Sequence, residues 1–469
     1  MEWFADGDYW LSRLVFQRAL AAVYLVAFLT AALQFRALIG ERGMLPAPEL
    51  LRRVRFRDAP SLFHLRYSDG LFALVSWTGA ALSAALVAGA ADRLPLAVAM
   101  AWWAVLWVLY LSIVNVGRTW YGFGWESLLL ETGFLAVFLG NERTAPPVLV
   151  LLLLRWVLLR VELGAGLIKI RGDRCWRDLT CLYYHHETQP MPGPLSWFFH
   201  RLPRPAHRLE AAASHTVQLL LPVLLFTPQP VASAAAGAIA LTQLWLVLSG
   251  NFSWLNWLTI ALALSAVDGS LLARPPAQPP APLWYEVLVI AVTGGLLALS
   301  YRPARNLFSR RQAMNRSYDP LHLVNAYGAF GTVGRVRMEV VVEGTRETRL
   351  HEGTVWREYG FRGKPTDVRR LPRQFAPYHL RLDWMMWFAA LSPAYARSWF
   401  GPFVERLLTG DRDTLRLLGH NPFPGAPPVH VRARLYRYRF TTWRELRATG
   451  AWWERRFVRE YLRPTRLGR

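Results

Sequence analysis

Apolar residues in this chain fall into long blocks separated by short polar stretches. A helix needs about 20 mostly apolar residues to cross the hydrocarbon core of a bilayer. Blocks of that size lie near 14–35, 71–91, 95–116, 122–140, 147–168, 212–228, 231–249, 252–268 and 284–301. The pattern predicts a polytopic α-helical membrane bundle of about nine spans over residues 1–302. The opening "MEWFADGDYWLSRLVFQRAL" sets acids and aromatics before the first block and shows no small-residue cleavage site, so that block reads as a retained span.

After Tyr301 no block is long enough to span. "VGRVRMEVVVEGT" alternates Val336, Met338, Val340 and Val342 with Arg337, Glu339, Val341 and Glu343, the period of a half-buried strand. "TVWREYGFRG" and "PVHVRARLYRYRFTTW" read the same way, and "WFGPFVERLLTGDRDTLRLLG" reads as helices. Residues 303–469 are therefore expected to form a soluble α+β C-terminal domain around an antiparallel β-sheet. The proline-rich "RPPAQPPAP" at 274–282 is a linker before the last span, too short to mark a domain boundary.

Polar positions inside the apolar blocks change this picture. "RWVLLRVELGAGLIKIRG" carries Arg155, Arg160, Glu162 and Lys169, and the seven-residue spacing of Arg155, Glu162 and Lys169 draws one slowly drifting stripe along a helix. An unpaired charge at membrane depth costs at least a few kcal/mol, so this face must turn toward protein or water. The preceding block supplies Glu126 and Glu131 as counter-charges. Two readings stand side by side: ion pairs that hold the bundle together, or a desolvated Lys169 able to act as a base. Gly164 and Gly166 permit close backbone approach under either reading.

Net charge is +22, from 54 Lys+Arg against 32 Asp+Glu. No zinc-finger spacing, RNP-like aromatic motif or basic heptad region accompanies it, so nucleic acid is excluded as a partner. Basic loops facing anionic lipid headgroups account for the excess, which makes the bilayer the expected partner. Arg36, Arg42, Arg52, Arg53, Arg55, Arg57 and Arg66 follow the first span, and Lys169, Arg171, Arg174, Arg177, Arg201, Arg204 and Arg208 follow the fifth. With nine spans both loops share a side with the C-terminal region, and the positive-inside rule places that side in the cytoplasm.

The 169–211 stretch is expected to be an interfacial loop. Its Cys175, Cys181, His185 and His186, with Asp173 and Glu187, match no compact zinc spacing, so neither metal nor cofactor is expected. Cys175 and Cys181 are close enough for a bridge in an oxidising compartment and remain thiols in the cytoplasm, free thiols being the simpler expectation. The following prolines and the aromatics Trp197, Phe198 and Phe199 suit the membrane interface or a partner contact, and equally a plain re-entrant connector.

"FGWESLLLETGFLAVFL", "GAGLIKIRGDRCWRDLTCLYYHHETQPMPGPLSWFFHRLP", "NFSWLNWLTIAL", "NAYGAFGTVGRVRMEVVVEGT", "VWREYGFRGKPTDVRRLPRQFAPYHLRLDWMMWFAAL" and "LLGHNPFPGAPPVHVRARLYRYRFTTW" together resemble the lipase maturation factor family, in order from about residue 115 to 443. The resemblance implies a non-enzymatic, chaperone-like, multi-pass protein of the endoplasmic reticulum membrane that matures secreted dimeric lipases, its C-terminal domain meeting clients in the lumen. Trp356 and Tyr378 are the candidate client contacts in that domain. A compact, Arg-rich chain ending "RPTRLGR", without a retrieval signal, resembles a bacterial member, for which the inner membrane is implied. A lumenal domain conflicts with the loop charges. "GAGLIKIRGDRCW" is also distantly similar to vitamin K-dependent carboxylases. That likeness implies a membrane enzyme with Lys169 as base and His185 or His186 as acid or orienting group. A lipid- or solute-handling protein, with the Glu126, Glu131, Arg155 and Glu162 cluster lining a polar cavity, is the remaining alternative.

Overall fold

A computed structural model describes residues 3–270 and 272–468. In chain order the principal helices are α1 (Trp10–Leu38), α2 (Asp69–Val87), α3 (Leu96–Val116), α4 (Gly124–Ala136), α5 (Val148–Arg171), α6 (Leu182–Thr188), α7 (Arg204–Leu219), α8 (Val231–Ser249), α9 (Leu255–Ala263), α10 (Leu283–Leu299) and α11 (Arg381–Leu391). Among the described residues, five helical stretches are long and apolar enough to cross a membrane: Gly7–Leu38, Asp69–Val87, Leu96–Val116, Val231–Ser249 and Leu283–Phe308.

The other four expected spans are helical but fall short for identifiable reasons. α4 has only 13 residues. α5 has 24 residues but carries Arg155, Arg160, Glu162 and Lys169. The 212–228 block is divided between α7 and a short helix at Leu221–Leu224, where Pro222 has no N–H to offer the preceding turn. α9 runs for nine residues before a 3₁₀ turn ends it at Ala266.

Hydrogen bonds gather the loops at two ends. At one end Asp6 N donates to Pro146 O at 3.0 Å and Gly269 N to Asp8 O at 2.9 Å, while Gln229 Nε2 donates to Tyr9 Oη at 2.8 Å. At the other, Gln34 Nε2 donates to His379 O at 2.7 Å, and Asn251 Nδ2 donates to Arg373 O at 2.9 Å. The C-terminal region is thus tied to the ends of α1 and α8. Residues 325–335 also lie along α5, because any Cβ at Gly164 or Gly172 would collide with the carbonyl oxygens of Tyr327 and Gly331.

The antiparallel sheet has the order β2-β1-β3-β4, with β1 (Arg337–Thr345), β2 (Arg357–Glu358), β3 (His430–Phe440) and β4 (Trp453–Thr465). Its centre is the β1–β3 pairing, with Val340 opposite Leu435. The expected half-buried character of β1 needs correction: every residue except Met338 is buried. Its charged face is covered by the chain at 187–190 and by Lys364, so alternation there separates two buried environments rather than core from water.

Candidate functional site

Glu126 and Glu131 belong to two separate charged centres, and Glu162 and Lys169 of the α5 stripe share a third through Gln218. On α4, Glu126 is wholly buried and faces the C-terminal region. Arg381 Nη1 donates to Glu126 Oε1 at 2.7 Å and to Trp120 O at 2.6 Å, with its guanidinium 3.6 Å from the centroid of the Tyr121 ring. Tyr110 also donates to this carboxylate, and His379 Nδ1 lies 3.8 Å away. His379 sits edge-on to Phe123, Trp125 and Trp254. Burial, reinforced by the Arg381 charge, lowers its pKa to about 4, against the pull of Glu126.

Five residues further along α4, Glu131 accepts from Arg160 of α5, from Asn325 N at 3.0 Å and Nδ2 at 2.9 Å, and from Tyr327 Oη at 2.7 Å. Arg160 in turn donates to Asn325 O at 2.6 Å. Arg155 pairs with neither acid. Its Nε donates to Ser265 O at 3.0 Å and its Nη1 to Leu225 O at 3.2 Å, so it satisfies carbonyls freed where helices end.

Glu162 accepts from Gln243 Nε2 of α8 at 2.6 Å, and Gln243 accepts from Asn256 Nδ2 of α9 at 2.6 Å. Lys169 is buried, donates to Gln218 Oε1 at 2.8 Å, and lies 4.7 Å from the centroid of the Trp176 ring. Its neighbours therefore hold a cation against an amide and an aromatic face, with the Glu162 carboxylate linked to it through Gln218.

The 169–211 stretch is anchored on the C-terminal region. Cys175 and Cys181 form a disulfide with Cα atoms 4.8 Å apart, correcting the expectation of free thiols. Trp176 Nε1 donates to Phe330 O at 2.8 Å. Arg337 of β1 donates to Glu187 O at 3.0 Å and Pro190 O at 3.1 Å, drawing the loop onto the sheet. Trp197 is fully buried and donates to Thr441 O at 2.9 Å. Phe199 is buried against His186, whereas Phe198 remains 41% exposed beside Trp443, which is 51% exposed. His185 lies buried between Phe252 and Phe330, and that burial pushes its imidazole well below the ordinary range.

The two candidate client contacts are only half-exposed. Trp356 lies under the Arg432 guanidinium at 4.0 Å, and Tyr378 Oη accepts from Gln34 Nε2 at 3.1 Å. Sequence reasoning missed His379, Arg381, His207 and Glu210. Two signals pointed to them: "HLRLDW" puts a histidine and an arginine before an apolar run, and "HRLE" sets a histidine and an acid at helical i,i+3 spacing.

Two family models match this chain: the lipase maturation factor transmembrane domain over residues 11–274 and the lipase maturation factor C-terminal domain over residues 323–463. Lipase maturation factor 1 of Mus musculus is 40% identical, with 98% of this chain and 88% of the relative covered. The Homo sapiens protein of the same name is 40% identical over 98% and 89%. Lipase maturation factor 2 of Gallus gallus is 30% identical over 97% and 81%. No solved structure matches.

Proposed function

The chain belongs to the lipase maturation factor family and is a multi-pass membrane protein, and from that premise we propose that it assists the maturation of secreted lipases without itself catalysing a reaction. The relatives' names support the lipase client, since likeness to them runs through nearly the whole chain. The surroundings of Lys169 favour a held cation over a base: its ammonium is engaged by Gln218 and Trp176.

The observation that carries the reading is the Cys175–Cys181 bridge in a loop fixed to the C-terminal sheet. A disulfide belongs in an oxidising compartment, so loop and sheet are assigned to the side where secreted clients fold. In a eukaryotic cell that is the lumen of the endoplasmic reticulum. Nine crossings, at the nine apolar blocks, and a division near residue 302 fit this arrangement. They put the 169–211 loop and the C-terminal region on one side, as their contacts require. The exposed Phe198 and Trp443 give the client an apolar contact on that face.

The test is co-expression with a secreted lipase in cells lacking their own maturation factor, reading lipase activity per unit of secreted protein. A several-fold rise is expected with the wild-type chain. Lys169→Met, matched for membrane level, is expected to match it. Unchanged specific activity with wild type defeats the client assignment, and loss of the rise in Lys169→Met alone restores the catalytic reading.

A further inference from the structure

His186, on the short helix α6, and His207 and Glu210, on α7, turn their polar atoms toward one point. His186 Nε2 lies 3.7 Å from Glu210 Oε2 and His207 Nδ1 lies 3.9 Å from the same oxygen. All three candidate ligand atoms fall within 4.8 Å of one another. The side chains of His186 and His207 are 1% and 3% exposed and that of Glu210 is 16% exposed. None of these three atoms has a hydrogen-bond partner among the described residues. Three buried polar atoms converging without satisfying one another is an unfavourable arrangement for a folded chain, because each forfeits its hydration without replacement.

We infer that His186, His207 and Glu210 form a binding site for a divalent transition-metal ion of the zinc class. Two imidazoles and one carboxylate are a common donor set for such ions, and a water completes four-coordination. Bonds of about 2.0–2.1 Å at tetrahedral angles place ligand atoms roughly 3.4 Å apart. The two separations from Glu210 Oε2, 3.7 and 3.9 Å, stand close to that value, and the two imidazole nitrogens, within 4.8 Å of each other, reach it by moving toward each other by at most about 1.4 Å in all. One second-shell contact is in place: Trp245 Nε1 of α8 donates to the other oxygen, Glu210 Oε1, at 2.8 Å and orients the carboxylate. Phe199 stacks on His186 and packs edge-on against Trp245, closing an apolar wall.

Sequence spacing concealed the site. A search for ligands near the "HH" pair takes His185, His186 and the two cysteines, but the cysteines are consumed in a disulfide and His185 faces Phe252 and Phe330. The missing ligands come 21 and 24 residues after His186, beyond the proline-rich connection. An ion here clamps α6 to α7 and so braces the 169–211 loop. The inference stands apart from the lipase reading and is tested without a client.

Full-length protein purified in detergent is stripped with chelator and titrated with Zn²⁺ and separately with Co²⁺, reading bound metal per chain, thermal midpoint and the visible absorption of cobalt. Wild type is expected to bind one equivalent, to gain thermal stability on Zn²⁺ addition, and to give the intense visible bands of low-coordinate Co²⁺. Glu210→Gln retains the bond from Trp245 and the fold, and is expected to bind at least about tenfold more weakly. His207→Asn is expected to abolish the cobalt bands, and His215→Asn, on the same helix outside the site, to leave them intact. No uptake by wild type, or equal uptake by wild type and Glu210→Gln, overturns the assignment, whether or not His207→Asn folds.

Discussion

Arg381 is fixed by a carboxylate, a backbone carbonyl and an aromatic face at once, and Glu126 by three side chains. At full burial the pair contributes little net stability over an apolar equivalent, but removing one partner strands the other, at a cost of about 3 to 5 kcal/mol. Arg381→Met is therefore expected to lower the thermal midpoint strongly in detergent. Adding Glu126→Gln should recover part of the loss, and a double variant no more stable than the single would exclude charge stranding as the cause. His379, between the same two groups, makes the molecule acid-sensitive. Its folded pKa of about 4 lies below the ordinary 6.5, so between those values the unfolded chain binds a proton that the folded chain does not. Stability present above pH 6.5 is thus lost as pH falls toward 4, by about 3 kcal/mol from this one group. A thermal midpoint that falls between pH 7 and 5 in wild type, and less steeply in His379→Gln, is the expected outcome.

At the scale of elements, β1 joins the sheet to the loop. Glu339 is wholly buried between Arg337, at 2.6 Å, and Lys364, at 2.9 Å, while Arg337 also holds the carbonyls of Glu187 and Pro190. Glu339→Leu leaves two buried cations and is expected to cost on the order of 4 kcal/mol. Because it also loosens Arg337, the Trp197–Phe199 segment beyond the prolines should become sensitive to limited chymotryptic cleavage before the sheet does. Simultaneous cleavage would mean that β1 does not transmit the effect. The same strand shows what sequence could disclose. The period-two alternation placed β1 and β3 because each residue's facing is a local property. Both faces of β1 are nevertheless buried, and what covers the polar face comes from residues 187–190 and 364, which local pattern does not reveal. β4 escaped notice because "WERRFVREYLRPT" carries exposed residues along most of its length. In the bundle, helices appear at all nine apolar blocks, but block length did not reveal where Pro222 interrupts one or where α4 stops short. Glu131 opposite Arg160 followed from neighbouring helices, whereas Glu126 opposite Arg381 joins residues 255 apart.

Across the whole molecule, the charge of the loops and the chemistry of the cysteines point to opposite sides of the membrane. The basic loops after the first and fifth expected spans favour the cytoplasm, but folded domains cross membranes largely without regard to their charge. Several of these arginines are also occupied within the fold: Arg171 donates to Leu307 O at 2.7 Å and Arg201 to Phe440 O at 3.0 Å. A disulfide is less negotiable, because the cytosol would reduce it. The shared side of loop and sheet does not depend on whether five or nine segments cross. An even number of crossings separates residues 169–211 from the C-terminal region under either count. One topology measurement therefore decides for both. In isolated membranes, Cys175 and Cys181 are expected to resist a thiol-alkylating reagent until reduced. In eukaryotic cells, an N-glycosylation acceptor appended at the C-terminus is expected to be modified. Free thiols together with an unmodified acceptor would put the sheet in the cytosol and remove secreted lipases from the proteins it can meet.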